Sequence, residues 1–338
     1  MAFNIAINGY GRIGQSVLRA IYRSPFRDDF NVVAINELSD LATVTYLTRY
    51  DTTHGRFPAD VSSSNGYLLI NNDAIKVLNE PDPSKLPWAE LDVDLVLECS
   101  GSIKERSEAQ LHLDAGAKRL LFSQPATAEV DTTVVYGFNH QQIQGQHQVV
   151  SAASCTTNCL VPVLNLLDEA FGIVNGVTTT IHSAMNDQPV IDSYHQTDLR
   201  LTRSALQSII PVDTGLDKGI NRLMPHLEGV FECLHVRVPT INVSVMDLSV
   251  NVRTLTDKDA VNALLQGAGQ GPLHGIMGYT QEPHASVDFN GDPRSCIVDG
   301  TQTKVSNGSL IKLMCWFDNE WGFANRMLDV GRYWLAKH

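Results

Sequence analysis

A cysteine and a histidine in the middle of the chain have the residue types and surroundings of a covalent catalytic site. Cys155 lies in the segment SAASCTTNC, residues 151–159, between a predicted strand and a predicted helix. We expect Ser154 to cap this helix and Cys155 to lie in its first turn, where the helix dipole would lower the pKa of the thiol. His182 follows the β-branched run VTTTI, so its ring could stand at a sheet edge and share a proton with a thiol. Taken alone, His182 is better explained as an ordinary core or solvated histidine.

The spacing of Cys155 and Cys159, C-x-x-x-C, is also compatible with a disulfide or with half of a metal site. No second pair of ligands accompanies it in the sequence, so we expect no bound metal. Cys159 would lie one helical turn beyond Cys155 and pack against the core.

A glycine-rich turn near the start of the chain predicts a dinucleotide site. Residues 8–14 read NGYGRIG, a G-x-G-x-x-G motif between a predicted strand and a predicted helix. Gly9 would permit the tight turn, Gly11 the close approach of the backbone to a pyrophosphate, and Gly14 the packing of helix on strand. The glycines alone also fit an ordinary turn.

The residues that follow these glycines indicate which dinucleotide would bind. The N–H groups of Arg12 and Ile13 would lie at the helix start, where the dipole favours an anion. Glu37 ends the next predicted strand, 23 residues beyond Gly14. A carboxylate there accepts hydrogen bonds from the adenosine ribose and repels a 2′-phosphate. Together these residues predict a site for NAD rather than NADP.

Strands must position all of these residues. In the first half of the chain, helical patterns alternate with short apolar runs at 3–8, 32–36, 94–99, 118–122 and 133–136. This alternation is typical of a parallel sheet with helices on its faces. After residue 150 a mostly antiparallel sheet is predicted by longer β-branched runs at 177–183, 234–240, 243–252 and 310–317. We therefore expect an α/β chain of two domains that meet between residues 150 and 155.

Composition excludes several classes of partner. The 338 residues carry a net charge of −12, which argues against nucleic acid, because binding phosphates requires clustered Lys and Arg. No apolar run approaches the ~20 residues of a membrane span, and the first residues do not have the pattern of a signal peptide. Six cysteines are too few for a disulfide scaffold, so we expect a reducing, cytoplasmic setting.

Seven spaced segments resemble a single enzyme family over essentially the whole chain. That family is the phosphorylating glyceraldehyde-3-phosphate dehydrogenases. The segments are NGYGRIG at 8–14, YDTTHGRF at 50–57, SCTTNC at 154–159, TTIHS at 179–183, SIIPVDTG at 208–215, VRVPTINVSVMDLS at 236–249 and WFDNEWGFANRM at 316–327.

The resemblance implies an α/β fold made of a Rossmann NAD-binding domain and an α+β catalytic domain with a mostly antiparallel sheet. The first would cover residues 1–154, with a C-terminal helix at 320–338 that packs back on it, and the second residues 155–319. A homotetramer is implied as well. Cys155 would be the nucleophile and His182 its base.

The resemblance also implies ligand contacts. Asn319 would bind the nicotinamide carboxamide, Ser123 would lie near the nicotinamide ribose, and Arg237 would hold the substrate phosphate. An arginine common in the family corresponds to Leu201 here, and Arg200 or Arg203 could compensate for its loss. A second anion pocket is implied by Ser154, Thr156, Thr214 and Gly215.

Three further segments resemble a subfamily, the D-erythrose-4-phosphate dehydrogenases. They lie at 182–192, 35–40 and 288–303. That subfamily forms 4-phosphoerythronate on the route to pyridoxal 5′-phosphate, and the resemblance implies that water releases the acid. Where the wider family usually presents two threonines to the substrate phosphate, this chain has Met185 and Asp187. Methionine donates no hydrogen bond, and we expect the aspartate to repel a phosphate.

Two other interpretations remain open. One is a glycolytic, phosphorylating glyceraldehyde-3-phosphate dehydrogenase with a changed phosphate site. The other is a non-catalytic regulator that only binds NAD, against which the presence of Cys155, His182, Asn319 and Arg237 argues.

Overall fold

The fold is given by a computed structural model, which describes residues 2–195 and 198–337. The chain forms two compact units. The first runs to Ser154 and takes in the chain again from Ala324 onward, and the second runs from Cys155 to Phe323.

The first unit is built on one large sheet with helices between its strands. Its elements up to Ser154 are β1 (Phe3–Asn8), α1 (Arg12–Arg23), β2 (Phe30–Asn36), α2 (Leu41–Arg49), β3 (Tyr50–Asp51), β4 (Gly55–Arg56), β5 (Val61–Ser64), β6 (Tyr67–Ile70), β7 (Asp73–Leu78), β8 (Leu95–Glu98), α3 (Arg106–Asp114), β9 (Leu120–Phe122), β10 (Thr132–Thr133) and β11 (Val149–Ser151).

The order of strands in this sheet creates a binding crevice. The order is β10-β11-β9-β8-β1-β2-β7-β6-β5, parallel from β10 to β7 and antiparallel beyond. From the central β1 the chain continues to β2 on one side and later returns to β8 on the other. In parallel sheets of this kind ligands bind outside the carboxyl ends of the strands where the order reverses. The predicted glycine turn lies at that place, directly after β1.

The second unit packs helices on a mixed sheet. Its elements are α4 (Cys155–Phe171), β12 (Ile173–His182), β13 (Ile210–Val212), α5 (Leu216–Leu223), β14 (Phe231–Arg237), β15 (Ser244–Val252), α6 (Lys258–Gln270), β16 (Met277–Thr280), β17 (Cys296–Asp299), β18 (Lys304–Ser306) and β19 (Leu310–Phe317). Helix α7 (Trp321–Leu335) begins in this unit and ends in the first.

The second sheet has the order β13-β14-β12-β15-β19-β17-β16, and β18 pairs with β19. Most neighbouring strands run antiparallel, as predicted, but β12 runs parallel to β14 and β16 to β17. The parallel pair β12/β14 places His182 directly opposite Arg237. A purely antiparallel sheet would not give this pairing, and the candidate site depends on it.

The structure contains the predicted strands, but several of them begin or end at other residues. The run at 133–136 contributes only Thr133 to a strand, Thr132–Thr133, and the run at 234–240 forms a strand that begins three residues earlier, Phe231–Arg237. Strands β5 to β7 were missing from the prediction. Strand β5 reads VSSS and is exposed after Val61, so it lacks the apolar alternation on which strand prediction rests.

Candidate active site

The nucleophile and the base predicted from the sequence face each other in the second unit. Cys155 is the first residue of α4, and His182 is the last residue of β12. Cys155 Sγ lies 3.9 Å from His182 Nε2. This separation suits proton transfer in an unliganded site, where catalytic contacts are often longer than in the reacting complex.

A backbone carbonyl fixes the orientation of His182. Its Nδ1 lies 2.8 Å from the carbonyl oxygen of Ser183, so Nδ1–H donates and Nε2 carries the lone pair. The lone pair therefore belongs to the nitrogen nearest Sγ of Cys155. His182 has the tautomer that a general base for this thiol requires.

Burial corrects one expectation about Cys155. Burial raises the pKa of its thiol to about 12, although the backbone N–H groups of Thr156 and Cys155 act to lower this pKa; the charge of Asp318 raises it further. Burial also lowers the pKa of His182. The helix end favours the thiolate as predicted, but desolvation is the larger effect. Burial therefore favours the neutral thiol and the neutral imidazole, and His182 is the neighbouring group that can accept the thiol proton.

Two serine hydroxyls hold Asn319 beside this pair. Ser183 Oγ donates to Asn319 Oδ1 at 3.1 Å, and Ser244 Oγ donates to the same oxygen at 2.9 Å. Both bonds end on the amide oxygen and fix the orientation of the side chain. Sequence reasoning missed Ser183 and Ser244, whose only signal is their position beside His182 and at the start of β15. Val243, directly before Ser244, has φ of 66°, a strained conformation for a β-branched residue.

Asp187 contacts the arginine that the resemblance assigns to the substrate phosphate. Its carboxylate, which we expect to repel a phosphate, accepts a hydrogen bond from Arg237 Nη1 at 2.6 Å. Asp187 therefore occupies a donor that an anionic ligand would use. The Nε of Arg237 is buried and has no hydrogen-bond partner among the described residues. An unpaired buried guanidinium N–H fits a site completed by an anion.

The two arginines on either side of Leu201 lie in different surroundings. Arg200 and Arg237 both line a cavity of about 450 Å³ next to β13. Arg203 instead pairs with Asp192 on the surface at 2.8 Å. Leu201 itself is buried between them. Of the two candidates for the missing arginine, Arg200 is the one that shares a cavity with Arg237.

The second predicted anion pocket lies where two helices begin. Thr156 is the second residue of α4, and Thr214 accepts a hydrogen bond from the N–H of Leu216 at the start of α5. The two helices approach closely, because a Cβ on Gly219 would lie 3.1 Å from Thr157 Oγ1. Two helix N-termini with hydroxyl side chains suit an anion. Gly215 is the residue that precedes α5, and Ser154 the one that precedes α4.

In the first unit, the glycine turn has the form that a dinucleotide needs. Gly9 has φ of 86°, and a Cβ there would lie 2.4 Å from the backbone of Ser100. A Cβ on Gly14 would lie 2.2 Å from the carbonyl oxygen of Gly9. By contrast, a Cβ on Gly11 would meet no atom within 4 Å, so the space above this residue is open. The crowded positions shape the turn, and the open one leaves room for a pyrophosphate.

The first turn of α1 begins directly behind this open space. Helix α1 starts at Arg12 and continues through Ile13, and its first turn contains no acidic residue. The guanidinium of Arg12 pairs with Asp51. The groups of Arg12 and Ile13 that could hold an anion are their backbone N–H groups, at the positive end of the helix.

Glu37 lines the same crevice. A cavity of about 370 Å³ is lined by Gly9, Gly11, Asn36 and Glu37, among others. Glu37 accepts hydrogen bonds from the N–H of Tyr10 at 2.7 Å and from its neighbour Leu38 at 2.8 Å. These bonds fix the carboxylate, whose oxygens can each accept a further bond from a ribose hydroxyl.

Ser123 lies at the end of β9, the strand that pairs with β8 in the same sheet. It follows β9, and its N–H donates to the carbonyl of Glu98 at 3.0 Å. It therefore belongs to the carboxyl edge of the sheet that also carries the glycine turn.

Two features are absent from the residues that the structure describes. Residues 2–195 and 198–337 contain no helix with the length and apolar character needed to cross a membrane. In the same residues no group of three or more His, Cys, Asp or Glu side chains is arranged to hold a metal ion.

Comparison with known protein families matches both units. Residues 3–106 match the NAD binding domain of glyceraldehyde 3-phosphate dehydrogenase, and residues 154–319 match the C-terminal domain of the same enzyme family. The crevice around Gly9, Gly11 and Glu37 lies in the matched NAD-binding domain, and Cys155 and His182 lie in the matched C-terminal domain. The chain therefore belongs to the glyceraldehyde 3-phosphate dehydrogenase family and is an NAD-dependent dehydrogenase.

Proposed function

We propose that this dehydrogenase oxidises D-erythrose 4-phosphate to 4-phosphoerythronate, through a thioester on Cys155 that water hydrolyses. One arrangement carries the proposal. Arg200 and Arg237 line a common cavity, while the segment directly after the base presents Met185 and an aspartate already bonded to Arg237. In this arrangement the segment after the base offers a phosphate no hydroxyl donor at 185 or 187, and the cationic groups of the cavity are Arg200 and Arg237.

The first step is attack of the Cys155 sulfur on the aldehyde carbon. His182 Nε2 takes the thiol proton, because it is the unprotonated nitrogen and lies 3.9 Å from Sγ. His182 then donates this proton to the aldehyde oxygen, which leaves a thiohemiacetal on Cys155 and an unprotonated His182. The N–H of Cys155 at the start of α4 and the protonated His182 are the donors available to the developing oxyanion.

In the second step the thiohemiacetal is oxidised. His182 removes the hydroxyl proton while the aldehyde carbon loses a hydride, and the product is a thioester on Cys155. NAD, when bound, supplies the hydride acceptor. Asn319, held by Ser183 and Ser244 beside His182, is the residue that we assign to the nicotinamide carboxamide.

The third step releases the acid. Once His182 has lost its proton, Nε2 can take a proton from a water molecule that attacks the thioester carbonyl. The bond to Cys155 breaks, and the thiol is restored with the second proton. His182 releases the proton from the oxidation step to solvent, so one aldehyde, one NAD⁺ and one water give one acid, one NADH and one proton.

The length of the substrate explains why the arginines matter. A four-carbon aldehyde places its phosphate roughly 1 Å or more further from Sγ than a three-carbon one. A short substrate would leave its phosphate near Met185, which donates nothing, and near the carboxylate of Asp187. Each missing hydrogen bond to a phosphate costs about 1.5–3 kcal/mol. The longer substrate can extend into the cavity that Arg200 and Arg237 line.

A second candidate is the phosphorylating reaction on glyceraldehyde 3-phosphate. The observation that favours it is the pair of helix N-termini at α4 and α5, with Thr156 and Thr214, which suits inorganic phosphate. In that reaction phosphate rather than water would attack the thioester.

Initial rates of NADH formation distinguish the two reactions. Purified enzyme would be given each aldehyde, with and without inorganic phosphate. We expect a higher kcat/KM for erythrose 4-phosphate and no increase of its rate with phosphate. A preference for glyceraldehyde 3-phosphate together with a requirement for phosphate would favour the second candidate.

We also propose that the chain assembles as a homotetramer in the cytoplasm and serves pyridoxal 5′-phosphate synthesis. The assembly is supported by six apolar side chains of the segment 190–209, each more than three-fifths exposed: Val190, Ile191, Tyr194, Leu199, Leu206 and Ile209. Several exposed large apolar side chains in one segment favour a role in a protein interface. All six cysteines are unpaired, which favours a reducing compartment. Light scattering of the purified protein tests the assembly, and a monomer at micromolar concentration would contradict it.

A further inference from the structure

A second histidine lies against the base. The ring of His235, on β14, stacks on that of His182 with centroids 5.1 Å apart and planes 26° from parallel. The edge of Phe317 approaches His182 at 6.4 Å and 69°. The base is therefore packed between rings as well as hydrogen-bonded through Nδ1.

The register of the sheet produces this stack. In the parallel pair β12/β14, Thr180 lies opposite His235, and His182 lies opposite Arg237. Residues two apart on a strand share a face, so the two histidines are diagonal neighbours on one face of the sheet. Nothing in the local sequence around His235 indicates this contact.

Burial of the His235 ring against His182 has a cost in folding free energy. Its Nε2 is buried and has no hydrogen-bond partner among the residues that the structure describes. A buried polar atom without a partner destabilises the fold. No hydrogen bond of this nitrogen accounts for His235, so the contact to be explained is the packing of its ring on His182.

We propose that His235 is a positioning residue for the base: its neutral ring packs on one face of the imidazole of His182, keeps Nε2 directed at Cys155 Sγ, and excludes water from that face. The inference rests on the role of His182 as the base in the proposed reaction. His235 itself touches neither the thiol nor the substrate in this account.

The charged and titratable groups around His182 are compatible with an uncharged ring of His235 stacked on it. They are Cys155 on α4, Arg237 and His235 on β14, Asp187 after β12 and Glu320 before α7; Phe317 on β19 packs against His182 without a charge. Burial, together with the charges of His182 and Arg237, lowers the pKa of His235 to about 3. When His182 becomes protonated during the reaction, the ring beside it remains uncharged and does not repel it.

The test compares variants that keep or remove the ring. His235→Phe keeps a flat ring without nitrogen, His235→Gln keeps much of the volume without a ring, and His235→Ala removes both. Leu234→Ala is the matched control, because this neighbouring side chain is 59% exposed. Binding of NAD and the thermal unfolding midpoint establish that each variant is folded.

The readout is the rate of Cys155 alkylation by iodoacetamide between pH 5 and 9, which requires no aldehyde. Loss of the ring exposes His182 to water and raises its pKa towards the ordinary value, so the base form is lost at a higher pH. We expect the acid limb of the profile to move up by about half a pH unit or more in the Ala and Gln variants, with a rate about threefold lower at pH 6. His235→Phe and Leu234→Ala should follow the unaltered enzyme.

Two results would overturn the proposal. One is an unchanged acid limb in both His235→Gln and His235→Ala. The other is a His235→Phe profile shifted as far as that of His235→Gln, because a nitrogen atom rather than the ring would then be required. Because alkylation is independent of the aldehyde, the proposed substrate can fail in the rate assays without deciding this result.

Discussion

The carboxylate of Asp187 accepts a hydrogen bond from Nη1 of Arg237 at 2.6 Å. The Arg237 side chain is 10% exposed and that of Asp187 45%, so a solvated carboxylate neutralises a nearly buried guanidinium. A substrate phosphate that uses Arg237 must compete with this carboxylate. The pair therefore acts on substrate choice through the arginine, in addition to any direct repulsion of the phosphate.

Substrate choice should change when the segment after the base is altered. Converting both Met185 and Asp187 to Thr adds two hydroxyl donors and frees Arg237. We expect kcat/KM for glyceraldehyde 3-phosphate to rise relative to erythrose 4-phosphate by at least about tenfold, equivalent to about 1.4 kcal/mol. Asn186→Thr, an exposed position between the two, is the control and should leave the ratio unchanged. An unchanged ratio in the double variant would remove this segment from substrate selection.

Substitution of Arg200 should change KM for the sugar phosphate much more than substitution of Arg203. Arg200→Gln removes a cation from the cavity shared with Arg237, and we expect KM for the sugar phosphate to rise about tenfold. Arg203→Gln removes only a surface pair with Asp192, in which both side chains are about three-fifths exposed, and should change KM less than twofold. Steady-state kinetics with both variants decides the matter. Equal effects would mean that the phosphate lies outside this cavity.

Cys155→Ser should abolish aldehyde oxidation and leave NAD binding almost intact. A serine hydroxyl at this position stays protonated near pH 7 and is a much weaker nucleophile than a thiolate. Cys233→Ser, which alters a partly buried thiol on β14, should retain activity. NADH formation and NAD titration are the two measurements. More than a few percent of residual oxidation in Cys155→Ser would exclude covalent catalysis at this residue.

His182→Asn should change the pH dependence of Cys155 alkylation. The thiol has a pKa of about 12, so without His182 the thiolate fraction rises tenfold per pH unit below that value. We expect the alkylation rate of the variant to rise with this slope between pH 7 and 9, whereas the unaltered enzyme, with its base unprotonated, should give a nearly flat profile. Hydride transfer should slow by roughly 10²–10⁴-fold. A flat profile in the variant would mean that the end of α4 alone ionises the thiol.

Glu37 should determine the choice of cofactor. Replacement by Ala or Ser removes the carboxylate that faces the crevice and should lower the NAD/NADP ratio of kcat/KM by at least about tenfold, or about 1.4 kcal/mol. Glu80→Ala, in the same cavity, is the control. An unmoved ratio in the Glu37 variants would place the adenosine ribose elsewhere.

Much of the first unit could be predicted because its signals are local. A glycine with φ of 86° and a glycine against a neighbouring carbonyl are required by the turn itself, so NGYGRIG indicates both the turn and the helix after it. The acidic residue at the end of β2 follows from the spacing of one strand–helix–strand unit. The exposed serines of β5 carry no such signal, and strands β5 to β7 were therefore not predicted.

The sequence by itself determined the residue types, the segment that begins a helix at Cys155, and the strand that ends at His182. Tertiary structure alone decided their environment. Pairing of β12 with β14 in a parallel register set His182 opposite Arg237 and against His235, and the fold brought Asp187 onto Arg237. Burial raised the pKa of Cys155, although the N–H groups at the start of α4 act to lower it. Helix starts and tight turns depend on a few neighbouring residues, whereas strand partners and desolvation depend on segments that are distant in the chain.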